Sequence, residues 1–233
     1  MTTIVIPTYN ERENIVPLIH ALFALGISDL SVLVVDDASP DGTGEAVEAL
    51  RAELPHLELL RRACKQGLGS AYVEGFARVL EKGAGVVVEM DADFSHAPED
   101  VPRLLQAIVD GADVVIGSRR VPRGRIVGWH WRRHVASRGA MWIARMLLRL
   151  KTRDVTSGFR AYRRSCLTAI HFADVRSDGY AFQEEMLLRC ERGKFIITEV
   201  PVTFIDRVHG TSKLGMQEIV NFFITLLRLW IHR

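Results

Sequence analysis

The chain has little cysteine: three residues, Cys64, Cys166 and Cys190, none in a CxxC pair. That spacing argues against a disulfide framework or a zinc site and fits a reducing compartment. Long apolar runs are missing too. No stretch reaches the roughly 18 uncharged apolar residues of a membrane-spanning helix, so none is predicted. The opening Met1-Thr2-Thr3-Ile4 has neither the basic nor the apolar region of a signal peptide and enters a strand directly. Internal repeats, low-complexity tracts and long linkers are absent, so the expectation is one domain spanning residues 1–233. Charge of one sign is scarce overall, with a net of only +2. It is unevenly placed, however. The segment from Arg119 to Arg164 is rich in Arg and contains a single acid, Asp154. Such a block suits an anionic partner such as a phosphate or a lipid surface; the plainer alternative is a solvated basic face. It matches no nucleic-acid-binding module, and no nucleic-acid partner is expected.

What is present is a βα rhythm. Short apolar runs at Thr3–Pro7, Ser31–Asp36, Leu57–Arg61, Gly85–Met90 and Asp113–Gly117 predict strands. Helical patterns at Glu11–Ala24, Gly42–Glu53, Leu68–Lys82 and Pro98–Gly111 lie between them. The fold class is therefore α/β: a mostly parallel, Rossmann-like sheet with helices on both faces. Further on, Arg132–Leu150 and Met216–Ile231 read as amphipathic helices and Phe182–Arg192 as another helix. Phe159–Tyr162 reads as a strand, and Phe195–Thr198 with Val202–Asp206 as a strand pair around Pro201.

In open α/β sheets ligands bind beyond the carboxyl ends of the strands. Asp91-Ala92-Asp93 ends a nearly all-apolar strand. In an extended segment, side chains at i and i+2 point the same way, so both carboxylates can face one volume. Hard oxygens of this kind suit Mg²⁺ or Mn²⁺ bridged to a diphosphate. His96, close by, is given no catalytic role. After the first strand, Tyr9 could stack on a base and Glu11 could accept from it; the competing reading is a helix cap with Asn10 at the cap and Glu13 at the third position. Asp36-Asp37, before the turn Pro40-Asp41-Gly42, could bind ribose hydroxyls. The loop Asp206–Lys213 places Arg207 and Lys213 around Gly210, a pattern able to close over a diphosphate.

Together these motifs resemble the family 2 glycosyltransferases of GT-A fold. Phe94-Ser95-His96, Gly117-Ser118-Arg119, Ser137-Arg138-Gly139-Ala140, Ser157-Gly158-Phe159-Arg160, Gly179-Tyr180-Ala181-Phe182-Gln183 and Gly210-Thr211-Ser212-Lys213 narrow the resemblance to the dolichol-phosphate (polyprenol-phosphate) mannosyltransferases. The resemblance covers essentially the whole chain. It implies inverting transfer of mannose from GDP-mannose to a polyprenyl or dolichyl phosphate, with Mg²⁺ or Mn²⁺. It further implies that Pro7, Tyr9 and Glu11 hold the guanine end and that Val35 and Asp37 frame the nucleoside. Asp91, Ala92 and Asp93 surround metal and sugar-diphosphate, with Asp91, Asp93 and Arg119 as the catalytic set. Arg207 and Lys213 bind the diphosphate, and Arg119, Arg133, Ser137 and Arg138 meet the acceptor phosphate. Ser95 stands where some members carry a metal-binding Gln and would be a weaker ligand. The halves divide as residues 1–118 for the nucleotide-sugar, 119–215 for the acceptor and 216–233 as an apolar terminal helix. The two amphipathic helices predict a peripheral protein on the cytosolic face of a membrane. Two alternatives remain: a UDP-sugar donor on the same scaffold, or a non-catalytic nucleotide-sugar-binding subunit. The intact carboxylate pair argues against the second. Oligomeric state is not readable from the residues.

Overall fold

Period-two alternation sorts the strands' side chains to two sides. In the first strand, β1 (Thr2–Thr8), Ile4 and Ile6 enter one apolar cluster and Val5 the other. The same alternation divides Val32 and Val34 from Leu33 and Val35 in β2 (Leu30–Asp36). Buried on both faces, these strands lack an exposed side, which is why they read as continuous apolar runs. A computed structural model describes residues 1–175, 177, 180–206 and 216–231. It adds β3 (Leu57–Arg61), β4 (Val86–Glu89), β5 (Val114–Ser118), β6 (Arg125–Val127), β7 (Arg160–Arg163), β8 (Ile197–Pro201) and β9 (Thr203–Ile205). Seven strands form one sheet in the order β3-β2-β1-β4-β7-β5-β8, with β7 antiparallel to both neighbours. The sheet is thus mostly parallel, as expected.

On one face lie α1 (Arg12–Ala24), α2 (Thr43–Leu50) and α4 (Val101–Val109), contributing Ile15, Leu18, Val47 and Leu104 to the core. On the other lie α3 (Leu68–Glu81), α5 (Trp131–Leu148), α6 (Arg164–Ala169), α7 (Tyr180–Arg192) and α8 (Met216–Ile231), contributing Phe76, Met141, Leu167, Met186 and Leu226. Gly75 lets α3 sit tight on the sheet. A Cβ there would come within 2.6 Å of Val5 and 3.1 Å of Val35.

Several arginines of the basic segment close the fold from within. Arg164 Nη1 donates to the carbonyl of Leu80 at 2.6 Å, at the C-terminal turn of α3. Arg163 donates to the carbonyls of Ala112 and Ile108, just beyond and at the end of α4. Cations there complete orphan carbonyls and oppose the helix dipole.

One expectation changes. The predicted pair around Pro201 is not a pair: β8 joins β5 in the main sheet, whereas β9 joins β6 in a separate two-stranded ribbon. Val202 is the crossover, its N–H donating to Ser118 and its carbonyl accepting from Arg125, both at 3.0 Å. Cys166 and Cys190, distant in sequence, bring their buried sulfurs within 3.8 Å as unbonded thiols.

Candidate active site

The carboxyl ends of β1, β2 and β4 each carry one non-glycine residue with left-handed backbone: Asn10, Ala38 and Phe94, all at φ 58°. Such residues cost energy and cluster where surrounding contacts over-determine a loop. Here the contacts run between loops. The Asn10 N–H donates to Ser39 Oγ at 3.0 Å, and the Glu11 N–H to Thr43 Oγ1 at 3.0 Å. The Arg12 N–H donates to Asp41 Oδ2 at 3.1 Å. The orphan amides opening α1 are therefore capped from the next loop. Glu11, not Asn10, occupies the cap position and no side-chain cap forms, so the Asn10–Glu13 capping pair is not present. Glu11 Oε2 instead accepts from Asn14 at 2.9 Å. Burial pushes the Asp41 carboxyl up, but hydrogen bonds from the Thr43 hydroxyl and from the Arg12 and Thr43 amides outweigh it and hold it below its ordinary value.

Pro7 lies past the last β1–β4 pair, Val5 with Glu89, so its missing N–H interrupts no ladder on that side. Val35 is fully buried, backbone included, and its carbonyl accepts from Thr8 Oγ1 at 3.5 Å. Lys65 Nζ sits 3.7 Å from the centre of the Tyr9 ring. Asp37 is buried and held. Its carboxylate accepts from Arg62 Nη1 at 2.7 Å and from the amides of Gln66 and Gly67 at 3.0 Å. Asp36 accepts from Thr8 at 3.2 Å and from the Ser39 hydroxyl at 2.5 Å. Sequence reasoning passed over this β3–α3 loop, Arg62 to Gly67. Its signal was available: it is a polar, cationic loop at a strand's carboxyl end.

The Asp91 loop departs from a simple strand tip. β4 ends at Glu89 and the chain bends from Ala92 through His96, so strand alternation does not set the directions of Asp91 and Asp93. Asp93 Oδ1 accepts from the Ser95 amide at 3.0 Å, and its side chain is almost enclosed. The Asp91 side chain is 38% exposed. The Asp91 amide donates to His96 Nδ1 at 3.2 Å. His96 is buried, stacks on Phe159 at 5.0 Å, and is pushed down to about 4 by burial first of all. It is neutral at pH 7, with Nδ1 already accepting, so it braces the loop rather than acting as a base.

Whether a divalent cation suits this place can be judged from the donors. Asp91, Asp93 and Ser95 offer hard oxygens, and Ser95 Oγ is buried without a hydrogen-bond partner among the described residues. Glycine at 158 leaves room: a Cβ there would lie 3.6 Å from Asp91 Oδ1 and 3.7 Å from Gln183 Nε2. Among the described residues no cluster of three acidic, imidazole or thiol side chains could cage a metal unaided. The donors fit a cation that is completed by substrate oxygens.

Behind Asp91 lies a buried polar layer that periodicity did not reveal. Arg160 is fully buried and donates to the carbonyls of Ser157, Gln183 and Val155 at 2.7, 2.8 and 2.9 Å. Glu89, also fully buried, is pushed up to about 7 by burial, against the pull of Arg160. Burial likewise raises Glu184 well above its ordinary value. Among the described residues neither glutamate makes a hydrogen bond of good geometry.

On the other flank, Arg119 is bound inward. Its Nε and Nη2 form a two-point contact with Asp154 at 2.8 and 2.7 Å, its amide donates to the same carboxylate at 2.8 Å, and Nη2 reaches Thr156 at 3.0 Å. Burial pushes Asp154 up, but Arg119 overcomes it and the carboxyl lies below its ordinary value. Arg119 also lies over Phe204, whose edge meets His96, linking this flank to the Asp91 loop. Arg133 pairs with Asp206 at 2.8 Å and lies 4.0 Å over Trp129. Ser137 accepts from Arg120 Nη2 at 2.9 Å. Arg138 is exposed on α5. Arg120 was not among the expected site residues, although it directly follows Arg119 at a strand end. Arg207 and Lys213 lie outside the described residues.

Comparison with known proteins places this architecture. Residues 3–170 match the family model described as glycosyl transferase family 2. The chain is 46% identical over 219 residues to polyprenol monophosphomannose synthase of Mycolicibacterium smegmatis, covering 94% of this chain and 82% of that one. It is 48% identical over 211 residues to undecaprenyl-phosphate mannosyltransferase of Micrococcus luteus, covering 91% and 86%. Among solved structures, glucosyl-3-phosphoglycerate synthase from Mycobacterium tuberculosis, in complex with Mn²⁺, UDP-glucose and phosphoglyceric acid, superposes with a TM-score of 0.70 at 20% identity. That match covers 99% of this chain and 79% of the other.

Proposed function

This chain belongs to glycosyl transferase family 2, and we propose that it transfers mannose from GDP-mannose to a polyprenyl (dolichyl) phosphate, inverting the anomeric centre. The observation that carries this reading is the 46% and 48% identity to the two relatives so named, over more than nine tenths of the chain. Pro7, Tyr9 and Glu11 would hold the guanine end, Val35 and Asp37 would frame the nucleoside, and Asp91, Ala92 and Asp93 would receive the sugar-diphosphate. Arg119, Arg133, Ser137 and Arg138 would border the acceptor, with Arg207 and Lys213 on the diphosphate. Asp91, Asp93 and Ser95 would hold Mg²⁺ or Mn²⁺, which neutralises charge on the diphosphate.

An acceptor phosphate has a second pKa of about 6, so at neutral pH it is already an anionic nucleophile. Its oxygen bonds to the anomeric carbon, the bond from that carbon to the GDP oxygen breaks, and the electron pair leaves with GDP. No proton has to be removed. This agrees with a neutral His96 engaged by the Asp91 amide.

A lipid acceptor calls for a membrane surface. Among the described residues no helix is long and apolar enough to cross a bilayer. α5 and α8 pack together and turn apolar residues outward: Trp131 and Trp142, each 63% exposed, with Val135, Met146, Phe223, Leu227 and Ile231. Arg132, Arg149 and Arg228 flank them, a pattern suited to peripheral binding.

The test is transfer to polyprenyl phosphate from GDP-mannose measured beside UDP-glucose and UDP-N-acetylglucosamine. Preference for a UDP-sugar sinks the donor assignment. With GDP-mannose, Asp93→Ala is expected to lower kcat by about 100-fold or more; transfer at the wild-type rate in Mg²⁺ would remove Asp93 from the metal set.

A further inference from the structure

Several cations of the basic segment are engaged within the fold. Arg119 is held by Asp154, Arg133 by Asp206, Arg160 by three carbonyls, and Arg163 and Arg164 by helix ends. Arg120 differs. Its guanidinium is partly buried beneath α5 and makes no ion pair among the described residues. Nη2 donates to Ser137 Oγ at 2.9 Å, which fixes the plane of the group. Nε is wholly buried and has no hydrogen-bond partner among the described residues. An orphaned guanidinium donor of this kind is costly unless a ligand oxygen meets it. The surrounding field agrees. Burial first, and then Arg119 and Arg138, depress the proton affinity of Arg120; only Asp154 opposes them, and that carboxylate is already bound to Arg119.

The charge lies beneath α5. Ser137 is on the inner face of that helix with Met141 and Ala144, roughly 200° around it from Val135 in the exposed stripe of Trp131, Val135, Trp142 and Met146. A fixed cation with an unmet donor, beneath a helix whose outer face is apolar, suits a phosphate monoester whose hydrocarbon tail passes that helix on its way to a lipid surface. Arginine is well matched to the phosphate, because its planar fork can meet two oxygens.

We propose that Arg120, oriented by Ser137, is a direct ligand of the acceptor's phosphate, with Arg119 bracing the loop through Asp154. This rests on the reading that a polyprenyl phosphate is the acceptor, and it adds a residue which that reading did not include.

The probe is a short, water-soluble prenyl phosphate, titrated calorimetrically into the full chain and into Arg120→Gln and Arg120→Lys. Glutamine keeps a donor for Ser137 and removes the charge; lysine keeps the charge. Arg120→Gln is expected to weaken prenyl phosphate binding about tenfold or more, while GDP affinity stays within about twofold. Arg120→Lys should recover part of the loss. In transfer assays the change should fall on KM for the acceptor and leave KM for the donor in place. Wild-type binding by Arg120→Gln overturns the assignment and leaves the acceptor reading standing. An equal loss for GDP, or a loss seen only with phosphatidylglycerol vesicles, overturns it as well, because the anion would then be the donor or a headgroup. A wild-type chain that binds no prenyl phosphate overturns both. Inorganic phosphate, run in parallel, should bind more weakly than the prenyl ester; equal affinity would exclude the neighbouring helix from the site.

Discussion

Asp37 and Arg119 occupy mirror-image positions. Each follows a strand's carboxyl end, each has a nearly enclosed side chain, and each is held by an opposite charge on a neighbouring loop: Arg62 for Asp37, Asp154 for Arg119. Their surroundings differ. Around Asp37 the loops close on themselves. Arg62 also reaches Glu74, Gln66 and Ser70, and the amides of Gln66 and Gly67 complete the carboxylate. Around Arg119 the charge does not close, because Arg120 and Arg138 follow with no carboxylate of their own among the described residues. A nucleoside can be recognised by a preformed neutral pocket, whereas a phosphate needs cation left over after folding. The two regions thus differ in residual charge, a difference that suits the roles proposed for them.

Removing the brace of the second half should have the largest effect. Asp154→Ala leaves Arg119 buried without its partner and is expected to cost about 3–5 kcal/mol in urea unfolding. If it costs no more than an exposed pair, the inward neutralisation of the basic segment is not what holds that half together. The next effect is on pH dependence and belongs to the buried layer behind Asp91. Glu89 sits at about 7 in the fold against an ordinary 4.5. The folded state therefore binds the extra proton between those values. Stability from this group is fully present below about 4.5 and is lost as pH rises through about 7. Glu89→Gln should flatten that fall, by something on the order of 3 kcal/mol across the window, read from melting curves between pH 4.5 and 8. A parallel shift of the whole curve with its slope unchanged would contradict the assignment. The smallest effect is expected at the rim. Arg133 and Asp206 are each 31% exposed, and Arg133→Ala should cost no more than about 1 kcal/mol of stability. A loss comparable to Asp154→Ala would erase the distinction between buried brace and solvated rim.

Much of the first half was legible because its signals are local. Apolar runs of strand length, helical patterns between them and polar residues at strand ends suffice to place Asp36-Asp37 and Asp91-Ala92-Asp93 at the rim of a parallel sheet. The second half resisted for a physical reason. The antiparallel β7, inserted between β4 and β5, is the only break in the parallel order of the main sheet among the described residues. Nothing in the four residues Arg160–Arg163 announces which strands they enter. Nor does an arginine declare its partner: Arg160 faces carbonyls in the core, Arg164 caps a helix formed some 80 residues earlier, and Arg138 faces water.

Periodicity and strand-end chemistry, properties of adjacent residues, determined the fold class and the helices on both faces, and short motifs carried the family resemblance. Tertiary structure alone decided which charges are neutralised: that Asp37 is tied to Arg62, that His96 is a neutral brace, and that Arg119 faces Asp154 while Arg120 retains an unmet donor. Whether a charge is met depends on groups brought together by folding from distant parts of the chain, and a linear pattern carries no record of those distances.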